Sequence, residues 1–125
     1  MKDAKKILVI DDDPDFGFFC ETVLGARGYR VVASLSGREG ITSFRAERPD
    51  LVILDLMMED EETGFRVARE IGRTNGSPPI LMITSMPGRV EERRDLPIAG
   101  LLAKPIKPET LAEKVGKLLA PGAGI

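Results

Sequence analysis

Apolar runs of four to five residues alternate with stretches of helical period along this 125-residue chain, and no other feature restricts its fold as much. Strand candidates are Lys6 to Asp11, Arg30 to Ala33, Leu51 to Asp55, Ile80 to Thr84 and Leu101 to Ala103. The runs are continuously apolar rather than alternating, as strands covered on both faces are. Strands that take turns with helices make β-α units around a parallel sheet, so the expected class is doubly wound α/β.

The intervening segments carry helix signals of their own. Asp13 can cap a first helix with Pro14 in its first turn, Phe16, Phe19 and Val23 share one face beside Cys20 and Leu24, and Gly28 is placed to stop it. Ser36 to Glu39 reads as a capping box, with Ile41 and Phe44 inward before Pro49. Phe65, Ala68 and Ile71 mark a third helix, and Leu111, Val115 and Leu118 with Leu119 mark a last one after Pro108. Between Pro87 and Asp95 only Val90 is large and apolar, so a fourth helix is expected to be short. The final Pro-Gly-Ala-Gly-Ile reads as a frayed end.

Length suits one domain over residues 1–125, with a core from about 5 to 119. The single Cys20 forms no internal disulfide, which suits a reducing compartment. Neither a signal-peptide core nor a membrane span is present in the sequence, so a cytoplasmic protein is expected. A net charge of -2 with acids and bases mixed argues for protein partners, not nucleic acid or an anionic membrane. With no histidine in the chain, histidine phosphocarriers, histidine metal ligands and Ser-His catalysis are excluded.

Four of the runs end on chemically useful residues: ILVI before Asp11 and Asp12, LVIL before Asp55, ILMI before Thr84 and LLA before Lys104. In a parallel sheet those carboxyl ends share one edge. Singly, each residue has an ordinary reading as a helix cap, a turn, a strand threonine or a solvated lysine. Jointly, three carboxylates at one edge raise one another's pKa unless a cation joins them, and Mg2+ prefers such oxygen ligands. A lysine and a threonine hydroxyl would add what a transferring phosphoryl group needs.

The set Val9 to Pro14, Pro49 to Met58, Met82 to Ser85 and Lys104-Pro105 resembles the receiver domain of bacterial two-component response regulators, in order and over nearly the whole chain. That resemblance implies a flavodoxin-like strand order 2-1-3-4-5 with helices on both faces. It implies that Asp55 is the phosphoacceptor, taking its phosphoryl group from a partner histidine kinase or phosphotransfer protein. Asp12 would bind Mg2+ directly, Asp11 through water, and Asp55 with the Met57 backbone carbonyl would complete the protein's share. Lys104 would pair with the phosphoryl oxygens and Thr84 would close on them after transfer. A cis Lys104-Pro105 bond is typical of the family.

Three departures stand out. The stretch from Asp55 to Gly64 is longer than usual and acidic at Glu59 to Glu62, which reads as a solvated loop. Leu101 replaces a common aromatic and is expected to be core. The interval from Thr84 to Lys104 is short, which suggests an altered output face. The function implied is a phosphorelay signalling module that switches docking to a downstream protein or output domain, an enzyme only in its own phosphorylation and dephosphorylation. The chain is then a single-domain regulator or part of a longer protein. Two rivals are a degenerate receiver acting as a phosphorylation-independent binding module and an aspartyl-nucleophile phosphohydrolase. A complete acid, threonine and lysine set argues against the first. The second wants an aspartate where Met57 stands.

Overall fold

Each continuous apolar run resolves into two interleaved alternations. In the computed structural model, which describes residues 4–93 and 95–120, five strands form one sheet: β1 Lys6–Ile10, β2 Arg30–Ser34, β3 Leu51–Asp55, β4 Ile80–Thr84 and β5 Gly100–Ala103. All pairs are parallel in the order β2-β1-β3-β4-β5. Ile7, Val9, Leu51, Ile53, Leu81 and Ile83 point to one layer, and Leu8, Ile10, Val52, Leu54, Ile80 and Met82 point to the other.

Helices α1 Pro14–Gly25 and α5 Pro108–Leu119 cover the first layer through Cys20, Val23, Leu24, Leu111 and Val115. On the second lie α2 Gly37–Glu47, α3 Glu61–Gly72 and α4 Pro87–Glu91 through Phe44, Phe65, Ala68, Ile71 and Val90. Leu101, expected to be core, is partly buried and packs against this second layer. None of the described helices is long and apolar enough to cross a membrane.

Local signals act at the helix ends. Asp13 accepts from the Asp15 N–H at 2.9 Å to start α1. Gly28, at φ 91, closes it, because the Tyr29 N–H reaches the Leu24 carbonyl and the Gly28 N–H the Gly25 carbonyl. Ser36 Oγ accepts from the Glu39 N–H at 3.0 Å, while Glu39 reaches back to the Leu35 N–H, one residue before the partner of a standard capping box.

Several bounds differ from expectation. Asp11 lies just past β1, β2 runs on to Ser34 and β5 starts at Gly100. The acidic stretch is not wholly loop: Asp60 accepts from the Thr63 N–H at 2.7 Å and from its hydroxyl at 2.9 Å, so α3 starts at Glu61. Acids at a helix start also meet its partial positive charge, a use the charge pattern alone did not reveal. α4 is short, as Val90's isolation implied, and the Arg93 guanidinium stacks 4.1 Å from the Phe65 ring centroid just beyond it. The expected frayed end at 121–125 lies outside the described residues.

Candidate functional site

Register alone brings the acids together. Ile10 pairs with Leu54, so Asp11 and Asp55, each one residue further along, lie side by side at the carboxyl edge where the strand order reverses between β1 and β3. By the two-residue period Asp11 follows Ile7 and Val9, Asp55 follows Leu51 and Ile53, and Lys104 follows Leu102, all residues of the α1/α5 layer. The three side chains therefore share a face. Lys104 Nζ donates to Asp11 Oδ2 at 3.1 Å and stands 3.7 Å from Asp55 Oδ1. One carboxylate oxygen from each of Asp11, Asp12 and Asp55 lies within 4.8 Å of the other two.

Thr84 has the opposite phase, following Ile80 and Met82. It is fully buried, and its Oγ1 accepts from the Met86 backbone N–H at 2.9 Å instead of turning to the acids. The Lys104 N–H donates to the Thr84 carbonyl at 2.8 Å, extending the β4–β5 ladder to the lysine itself. The Lys104-Pro105 peptide bond is cis. The side chain of Met57, the residue expected to lend a carbonyl, is exposed.

Two contributors were not read from the sequence as parts of the site. The Asp13 N–H donates to Asp11 Oδ1 at 2.9 Å and ties the acid to the start of α1. Phe16 lies beneath the lysine, its ring centroid 4.9 Å from Lys104 Nζ, and so serves the ammonium as well as the helix face. An aromatic one turn past an acidic cap was the only available signal. Phe16, Phe19 and Ile106 with Asp13, Ser85 and Lys104 line a depression of about 520 Å³ beside the acids.

Asp11 and Asp55 are only 2% and 4% exposed, whereas Asp12 faces solvent. Burial, then the charge of Asp11, pushes Asp55 up from 3.8 to about 6 against the pull of Lys104. Burial also raises Asp11, opposed by the Asp13 N–H and by Lys104. Burial works to lower Lys104, but its bond to Asp11 and the charges of Asp11 and Asp55 outweigh that and hold it above its ordinary value. Three carboxylates against one ammonium leave two negative charges in excess. A donor set of oxygens alone with that excess is compatible with Mg2+, which takes one or two carboxylates and keeps waters.

The sequence pattern of the response regulator receiver domain matches residues 7–116. The chain belongs to the response regulator receiver family. This receiver domain is similar to the probable transcriptional regulator ycf27 of Cyanophora paradoxa, 37% identical over 118 residues that cover 92% of this chain and 48% of that protein. To the DNA-binding response regulator MtrA of Mycolicibacterium smegmatis it is 34% identical over 113 residues, 89% of this chain and 49% of the other. It thus spans about half the length of these curated relatives. The structure of chemotaxis response regulator CheY4 of Vibrio cholerae superposes with a TM-score of 0.83 at 30% identity, covering 94% of this chain and 100% of that one. Membership places the receiver domain in two-component signalling.

Proposed function

We propose that Asp55 accepts a phosphoryl group from a phosphohistidine on a partner histidine kinase or phosphotransfer protein, and that the product switches docking to a downstream protein or output domain. One observation carries the reading: a buried Asp55 lies within 4.8 Å of two more carboxylates, with a lysine ammonium 3.7 Å from its Oδ1. An Asp55 oxygen forms the new P–O bond as the P–N bond breaks, and the imidazole nitrogen leaves with a proton from solvent. Lys104, already turned toward Asp55, pairs with the incoming phosphoryl oxygens. The Thr84 hydroxyl, which accepts from the Met86 N–H on its own loop, would turn to the phosphoryl oxygens after transfer and donate its proton there.

Asp11, Asp12, Asp55 and the Met57 backbone carbonyl are the groups that would hold Mg2+, which when bound neutralises charge on the transferring group. Phosphorylation adds roughly 1.5 to 2 negative charges beside Lys104 and Thr84. That charge biases an existing equilibrium of the β4–α4 loop by no more than the difference in phosphate contacts between its states. For this segment we assign protein partners, on its mixed charge; DNA binding is named for the longer relative MtrA.

Intact-mass measurement after incubation with acetyl phosphate and Mg2+ tests the reading. Wild type is expected to gain the mass of one phosphoryl group, and Asp55→Asn none. An unmodified wild type, or an equally modified variant, refutes it.

A further inference from the structure

The edge that carries Asp55 also presents two thioethers. Met57 follows β3 and Met86 follows β4, and the two residues are 40% and 44% exposed, against 8% for Met58 and 0% for Met82. The two loops leave the sheet together, since β3 and β4 are neighbours and the Leu56 N–H donates to the Ile83 carbonyl at 2.9 Å. Met57 lies two residues past Asp55, and the Met86 N–H holds the Thr84 hydroxyl. Oxidants reach accessible sulfur first.

We propose that Met57 and Met86 form a two-residue oxidation site, converted by hydrogen peroxide to sulfoxides, and that the change, made on the two loops that follow Asp55 and Thr84, shortens the life of the aspartyl phosphate. The lifetime claim rests on the phosphoacceptor reading of Asp55. In each step a sulfur lone pair attacks one peroxide oxygen, an S–O bond forms as the O–O bond breaks, and the remaining oxygen leaves as water. Sulfur is oxidised by two electrons and the peroxide is reduced. A flexible apolar side chain becomes a polar, hydrated one at the edge of the site. Cys20 does not compete, because it is fully buried and its thiol, raised first by burial and then by the Asp11 charge, is pushed up to about 12.

The test treats the whole chain with hydrogen peroxide, removes the peroxide with catalase, maps oxidised peptides by mass, and then follows loss of phosphate after acetyl phosphate and Mg2+. Met57 and Met86 are expected to gain one oxygen each before Met58 or Met82 gains any, with Cys20 unchanged. The aspartyl phosphate should then decay roughly threefold faster or more, and methionine sulfoxide reductases should restore the original rate. A Met57→Leu, Met86→Leu double variant, compared with its own untreated rate, should not respond to peroxide. Equal oxidation of Met57, Met58, Met82 and Met86, or an unchanged lifetime once Met57 and Met86 are fully oxidised, overturns the proposal. Failure of untreated protein to take up a phosphoryl group sinks the Asp55 reading and the lifetime claim with it, while the order of oxidation still decides the modification site.

Discussion

Replacing Asp55 with asparagine should stabilise the metal-free protein at pH 8, because the native carboxylate is held charged in a place that disfavours its charge. Its proton affinity rises from an ordinary 3.8 to about 6 on folding, chiefly through burial and then the Asp11 charge. At about 1.4 kcal/mol per tenfold, that difference amounts to about 3 kcal/mol against folding once the pH is above both values. Between those values the native state binds more protons than the unfolded chain, so stability falls as pH rises from about 4 to about 6 and the deficit is constant above that. Asparagine mimics the protonated form but must place an amide where an oxygen faced Lys104, so a net gain of about 1 to 3 kcal/mol is expected. Urea melts in a chelator at pH 8 should show a midpoint higher by roughly 1 to 2 M, with the gain gone near pH 4. With Mg2+ at a hundred times its dissociation constant, wild type should recover about 2.7 kcal/mol and the variant much less. An equal or lower midpoint for the variant at pH 8, or a gain that persists undiminished at pH 4, would refute the reasoning.

Removing the counter-charge acts oppositely: Lys104→Met leaves Asp11 buried without its partner at 3.1 Å and should lower metal-free stability at pH 8 by about 1 to 3 kcal/mol, read by the same melts. Arg48 caps α2 in the left-handed region at φ 49, so Arg48→Gly should raise stability by roughly 0.5 to 1 kcal/mol in thermal unfolding. A Cβ on Gly40 would sit 2.6 Å from Ile10 Cδ1, so Gly40→Ala should destabilise by about 1 to 3 kcal/mol, and Ile10→Val in the same chain should restore part of it. Additive losses in that double mutant would show that the contact is not the cause.

Much of the fold was legible because its signals are local. Strand positions follow from apolar runs, Gly28 ends α1 because only a residue at ease with positive φ closes that turn, and Ser36 starts α2 through its own side chain. The placing of Asp11, Asp12, Asp55, Thr84 and Lys104 at one sheet edge was legible too, since parallel strands end together. The acidic run at Glu59 to Glu62 was not, because nothing in its composition separates a solvated loop from a helix cap until the Thr63 N–H finds Asp60.

By itself the sequence determined which elements form and which reactive side chains stand at their ends, because period, capping and turn chemistry act within a few residues. Only the tertiary structure decided which of those side chains meet. Lys104 reaches Asp11 across 93 positions and rests on Phe16, while Thr84, one ladder step away, turns its hydroxyl to its own loop. Those choices depend on strand register and on which layer each residue faces, and a shift of one residue would exchange the two layers.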